Sequence, residues 1–266
     1  MPTPLLHVDA FADGPFTGNP AAVCLLERAQ STDWMQALAA ELNLPATVFV
    51  VGARDGYDLR WFSPLAELVL CGHGTLAAAH ALWQTARLAG MDSARFATRS
   101  GPLCATSREG WIAIDLPAEV ATASAPPGGL LDALGAAKAQ WVGRNRLDYV
   151  IEIDDEPALR ALAPDLRALA TIETRGVIVT ARASEPGIDF VSRFFAPRVG
   201  IPEDSVTGSA HCCLAPLWAS RLGRSRLTAR QLSARGGLVR ASVEGARVVL
   251  SGQAVTVLRG ELDERR

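Results

Sequence analysis

The chain has 266 residues, enough for one large domain or two ordinary ones, and nearly half of them are hydrophobic, so a true core can form. A net charge of −2 and a pI near 6.1 give no electrostatic footing for nucleic acid or an anionic membrane surface. No apolar run approaches the roughly 20 residues of a membrane span, and Met1-Pro2-Thr3-Pro4 lacks the basic-then-apolar order of a secretion signal.

In chain order, Leu5 to Phe11 reads as a strand, and Gly14 to Pro20 is dense in turn residues. Ala21 to Leu26 is a second strand, and Thr32-Asp33 opens a helix carrying Trp34, Leu38 and Leu42 at helical spacing. Strands follow at Thr47 to Val51 and Tyr57 to Phe62. A loop then leads through Cys71-Gly72-His73-Gly74-Thr75 into a helix with Leu76, Ala79, Trp83 and Ala86 on one face. Ala94 to Arg99 and Leu103 to Leu116 complete the first half, with a turn at Arg108-Glu109-Gly110.

The Ala-, Pro- and Gly-rich stretch 117–129 marks a domain boundary. It predicts half-domains at 1–117 and 118–266, to within about ten residues, with the last strand able to return to the first half. The second half offers strands at Trp141 to Val142 and Leu147 to Ile153, a helix over 157–170, and strands at Val177 to Thr180 and Asp189 to Phe195. A second glycine-containing loop, Ile201 to Ala210, opens a helix to about Leu222. Strands are expected around Leu232 to Arg235, Leu238 to Val243, Val248 to Ser251 and Ala254 to Leu258. The halves share an element order, and an offset of 205 − 71 = 134 places Cys71 on Ser205 and Gly74 on Gly208, which points to an internal repeat.

The chemistry-bearing residues gather at the two helix starts. Unpaired amides at Thr207, Gly208 and Ser209 would attract an anion, with Asp204 beside them and Glu203 adjacent. His73, between two glycines, can move protons near neutral pH. Cys71 is an alternative base, but its counterpart at the same offset is Ser205, so a two-thiol racemase does not follow, and Cys212 and Cys213 lie inside a helix. Five cysteines without a C-x-x-C spacing argue for reduced thiols and a cytoplasmic protein, and four scattered histidines give a metal site no support.

Several stretches together resemble the PhzF family, named for the phenazine-biosynthesis isomerase. They are Val8-Asp9-Ala10-Phe11 with Phe16 to Pro20, Arg60 to Pro64 with Leu70 to Leu76, Arg193 to Pro197, Gly200 to Ala210, and Gln231-Leu232-Ser233 with Arg235-Gly236-Gly237. The resemblance implies a diaminopimelate-epimerase-like α+β fold. In it, two pseudo-symmetric half-domains each wrap a mainly antiparallel sheet round a central helix, with the active site between them. It also implies a cofactor-independent isomerase or epimerase of a small carboxylic acid, usually a homodimer. The family's type reaction isomerises trans-2,3-dihydro-3-hydroxyanthranilate.

Carried over by motif, His73 and Asp204 match acid–base residues, while Gly72, Gly208 and Ser209 match positions that hold substrate, with Asn19, Gly74, Thr75 and Thr207 beside them. The family's principal glutamate falls in the stretch Asn43-Leu44-Pro45-Ala46-Thr47, where Ala46 takes its place. Ala46 therefore opens two alternatives: a degenerate, small-acid-binding member without turnover, or a lyase or dehydratase using Cys71 as base.

Overall fold

The computed structural model describes residues 3–263. The chain divides into two compact units, one formed by Met1–Leu116 and Ser251–Arg266 and the other by Pro117–Leu250.

The first unit opens with β1 (Thr3–Ala10) and β2 (Asn19–Leu26), followed by α1 (Thr32–Leu42). Ser31 caps α1 by accepting from the Trp34 amide, and the helix ends where Asn43 turns left-handed at φ 49°. Pro45 lacks the N–H that a further turn would need. The chain then runs through β3 (Ala46–Ala53), β4 (Gly56–Phe62) and the short β5 (Glu67–Leu68) into α2 (Gly72–Gln84). After α2 come β6 (Ser93–Ala97), β7 (Leu103–Arg108) and β8 (Trp111–Pro117). Glu109 and Gly110, at φ 52° and 78°, turn β7 back into β8, the left-handed pair that a tight hairpin favours.

The second unit holds β9 (Thr122–Ala123), α3 (Leu130–Leu134), β10 (Trp141–Arg144), β11 (Asp148–Glu152), α4 (Glu156–Ala161), α5 (Leu166–Thr171), β12 (Gly176–Arg182) and β13 (Phe190–Phe195). A 3₁₀ turn (Pro197–Val199), α6 (Gly208–Leu222), β14 (Arg226–Gln231), β15 (Gly237–Glu244) and β16 (Arg247–Gly252) follow. The last strand, β17 (Ala254–Leu262), pairs antiparallel with β1 in the first unit.

The strand ladders bear out the repeat. In the first unit β1/β2 is antiparallel, β2/β3 parallel, β3/β4 antiparallel, β4/β6 parallel and β6/β7 antiparallel. In the second unit β10/β11, β11/β12, β12/β13, β13/β14 and β14/β15 run through the same alternation. The fold is α+β, with antiparallel pairings in the majority.

Successive side chains along a strand point to opposite faces, and in the second unit both faces of β12 are covered. In β12, Ile178 joins Phe190, Phe194, Leu214 and Trp218 of β13 and α6, whereas Val177 and Val179 face Leu134, Leu159 and Leu169 of the outer helices. In the first unit, Met35 and Ala39 of α1 pack on Cys24, Phe49 and Phe62 of the strands. On α2, buried Ala77, Ala78, Ala79 and Ala81 let the strands come close. A Cβ on Gly74 would meet Trp61 Cδ1 at 2.9 Å and Val48 Cγ2 at 3.0 Å, so only glycine fits at that point.

Two details differ from the sequence reading, and a third carries a cost that the reading did not show. The expected helix over 157–170 is two helices, because Pro164 cannot donate and restricts the residue before it; Asp165 then caps α5 by accepting from Arg167 and Ala168. The expected strand at Leu232 to Arg235 is a turn, held by the Gly236 amide on Ser233 Oγ, and the strand is β14 before it. Pro216 sits inside α6 without breaking it. Its missing N–H leaves the Cys212 carbonyl without a helical donor, and the Glu119 amide fills that place at 3.1 Å.

Leu214, fully buried on α6, should cost about 2–5 kcal/mol when cut to alanine. Exposed Met91→Ala should stay within about 0.5 kcal/mol. Urea unfolding of both variants checks the assignment of α6 to the core; equal midpoints would contradict it.

Candidate functional site

The two central helices begin in the same way. Cys71 before α2 is extended at φ −142° and ψ 100°, and Thr207 before α6 is extended at φ −110° and ψ 105°. Neither side chain caps its helix. The Cys71 carbonyl accepts from the Thr75 amide at 3.0 Å and from Thr75 Oγ1 at 2.8 Å. The Thr207 carbonyl accepts from the His211 amide at 3.2 Å and from His211 Nδ1 at 2.9 Å. A side chain one turn into each helix thus doubles the bond to the cap carbonyl. The true offset is 207 − 71 = 136, two residues from the 134 given by identities. It pairs Gly72 with Gly208 and His73 with Ser209. With no side-chain cap, the first amides of both helices remain open to a ligand.

In the second unit, Asp204 stands three residues ahead of the cap and accepts from Thr207 Oγ1 at 2.6 Å. Its backbone is pinned by its own amide on the Phe194 carbonyl at 3.0 Å and by Gln231 Nε2 on its carbonyl at 2.7 Å. Gln231 is fully buried, and its Oε1 accepts from the Thr207 amide at 2.9 Å, so the amide expected to stay open at Thr207 is closed and the open ones are those of Gly208 and Ser209. One glutamine therefore ties both ends of the 204–207 loop. The sequence offered Gln231 only within the motif Gln231-Leu232-Ser233, with no spacing that gives it this role. Ser233 adds a bond from its hydroxyl to the Ser205 carbonyl at 2.8 Å.

Glu203 is not part of this chemistry. Both its oxygens are taken by Arg193, at 2.7 and 3.0 Å, and Arg193 lies over the Phe195 ring. Ser209, in the first turn of α6, accepts from Arg175.

In the first unit, Asn19, Cys71 and His73 come together and are all buried. Asn19 Nδ2 lies 3.4 Å from His73 Nδ1, and Cys71 Sγ lies 3.6 Å from the same nitrogen. An amide nitrogen only donates, so His73 Nδ1 is the acceptor and a neutral ring carries its proton on Nε2. Ala46 is the first residue of β3, wholly buried and paired with Ala21 of β2. The buried thiols at Cys212 and Cys213 are pushed up to about 12, chiefly by burial, and behave as apolar packing.

Comparison with known proteins places this geometry in context. The profile of the family described as Phenazine biosynthesis-like protein (PhzC-PhzF) matches residues 8–260. An uncharacterized isomerase of Halalkalibacterium halodurans is 48% identical, covering 98% of this chain and 99% of its own. The crystal structure of a phenazine biosynthesis PhzF-family protein from Enterococcus faecalis superposes with a TM-score of 0.94 at 39% identity, over 99% of this chain and 100% of that one. A hydroxyproline epimerase from Agrobacterium vitis shares the fold alone, with a TM-score of 0.61 at 12% identity over 98% of this chain and 90% of that one.

His211 is a positioning group and not a proton shuttle. Its Nδ1 donates to a carbonyl, its Nε2 has no hydrogen-bond partner among the described residues, and burial lowers its pKa to about 4 against the raising influence of Thr207 and Asp204. The unfolded chain binds this proton below about 6.5 and the folded one only near 4, so the contribution to stability is present above 6.5 and lost as pH falls to 4. The stake is on the order of 3 kcal/mol. The stability gap between wild type and His211→Gln should therefore shrink by that amount between pH 7 and pH 4 in urea titrations. A gap that is constant with pH would contradict the buried neutral imidazole.

Proposed function

We infer that this chain, which belongs to the phenazine biosynthesis-like (PhzC-PhzF) family, is an isomerase or epimerase that moves a proton on a small carboxylic acid without a cofactor. The observation that carries the reading is Asp204: a carboxylate fixed by Thr207 and Gln231 directly ahead of an uncapped helix start. Removing a proton beside a carboxylate builds negative charge on the acid. Amides at Gly208 and Ser209 are suited to stabilise that charge, because they are already aimed and need no reorganisation. Asp204 is the group that takes or returns the proton. His73, held by Asn19, is the second, with its Nε2–H able to donate. Gly72 and Gly74 form the substrate-holding turn on α2, while Thr75 and Thr207 act behind the two helix starts, their amides and hydroxyls already bonded to the Cys71 carbonyl, Gln231 and Asp204.

Ala46 bears on which substrate. At the position of the family's glutamate it offers no proton acceptor, so the type reaction on trans-2,3-dihydro-3-hydroxyanthranilate is not the expected one. The same buried alanine favours a second reading, a member that binds small acids without turning them over. A third assigns the base to the Cys71 thiol beside His73, as a lyase or dehydratase would need. The five free cysteines support a reducing, cytoplasmic setting, and family likeness supports a homodimer.

Deuterium exchange in D₂O over a panel of cyclic and amino acids separates these readings. Wild type should exchange a C–H proton on at least one acid, and Asp204→Asn should slow that exchange by about 10²-fold or more. Exchange that is unaffected by Asp204→Asn would overturn the assignment. Exchange seen only after Ala46→Glu would mark a degenerate enzyme, and exchange abolished by Cys71→Ser alone would move the base to the thiol.

A further inference from the structure

Arg175 ends the loop between α5 and β12, and its guanidinium is fixed on three sides. Nε donates to Asp148 Oδ1 at 2.8 Å and Nη2 to Oδ2 at 2.5 Å, a fork on a carboxylate with no solvent exposure. The Phe194 ring lies against it, 5.5 Å from the guanidinium carbon. Nη2 also donates to Ser209 Oγ at 2.9 Å. The neighbourhood is built for this placement. Asn145 Oδ1 accepts from the Leu147 and Asp148 amides and so sets Asp148 at the start of β11. Gly176, paired with Asp148 across the parallel ladder, can be nothing larger, since a Cβ would meet Phe194 Cζ at 2.4 Å and Asp148 Oδ1 at 3.2 Å.

The consequence lies in the direction of one hydroxyl. Arginine has donors only, and a serine hydroxyl has one proton and two lone pairs. With Arg175 donating into Ser209 Oγ, the Ser209 proton must point to another acceptor, next to open amides of the α6 start. The guanidinium is one-third exposed at the same place, with its charge balanced by the Asp148 carboxylate. At the offset of 136, Ser209 corresponds to His73, which is itself held by a side chain from a strand start, Asn19.

We propose that the Asp148–Arg175–Ser209 relay sets the Ser209 hydroxyl as a hydrogen-bond donor and makes the α6 start selective for a carboxylate over its neutral amide. Arg175 is thus a positioning and specificity-determining residue acting through Ser209. The inference rests on the small-acid reading above and deepens it. A purely architectural role, tying β11 and β12 to α6, would predict no effect through the serine.

The test uses benzoate and benzamide as probes, titrated into the isotope-labelled full chain while the amide resonances of Gly208 and Ser209 are followed. Benzoate should move both resonances in wild type. Ser209→Ala should weaken benzoate at least tenfold and leave benzamide within twofold, and Ser209→Thr should keep wild-type binding. Because Arg175 alone cannot be removed without stranding a buried charge, the arm that breaks the relay is the neutral pair Asp148→Asn with Arg175→Gln. It should match Ser209→Ala, and adding Ser209→Ala to the pair should cause no further loss. Wild-type benzoate affinity in the folded pair variant, or losses that multiply in the triple variant, would overturn the relay. Failure of benzoate to move the wild-type resonances would overturn the small-acid site, and the relay with it.

Discussion

A carbonyl that accepts twice governs both halves of this protein. At Cys71 and again at Thr207, the residue before the central helix stays extended, while an amide and a side chain from one turn further on bond its oxygen. The bonds are modest singly, about 1 kcal/mol net each. Their effect is geometric: the helix direction is set by the cap carbonyl from inside the helix, and the cap side chain is not needed. The first amides are then left open where a serine or aspartate cap would have closed them. A histidine and a threonine do the same work in the two copies, which explains why His211 is buried and neutral although it stands so close to Asp204.

Around this device the protein spends its other polar residues on placement. Gln231 fastens the 204–207 loop, Arg193 occupies Glu203, and Arg175 occupies Asp148 and Ser209. Two neighbouring acids thus have different placements: Glu203 is committed to the Arg193 guanidinium, while the Asp204 side chain accepts from the Thr207 hydroxyl. In the first unit the same economy holds: Asn19 orients His73, and Gly74 leaves room for Trp61 and Val48 where any side chain would collide.

Much of this was legible in the sequence. The two glycine-containing helix starts, the halves and their shared order, and the family resemblance all follow from short motifs whose residue types have local causes. The finer register was not. Identities gave an offset of 134, whereas the caps require 136, because the side chains that define the equivalence, Thr75 and His211, are chemically different and only their bonds agree. The roles of Gln231, quoted only as part of a motif, and of Arg175 stayed out of reach for a related reason. Arg175 and Ser209 are 34 residues apart, and no spacing rule links a strand-start arginine to a helix-start serine. The helix through Pro216 was expected, but not its means: a distant amide, that of Glu119, takes the carbonyl that the proline leaves without a donor.

The central proposal is that Asp204 moves the proton and that Gln231 serves it by holding the 204–207 loop. Groups that act as a unit in one step are not additive when removed. The direct measurement is the C–H exchange rate of wild type, Asp204→Asn, Gln231→Leu and the double variant on the same acid. The account predicts that the double variant is no slower than Asp204→Asn alone. Losses that multiply, as for independent groups, would contradict it.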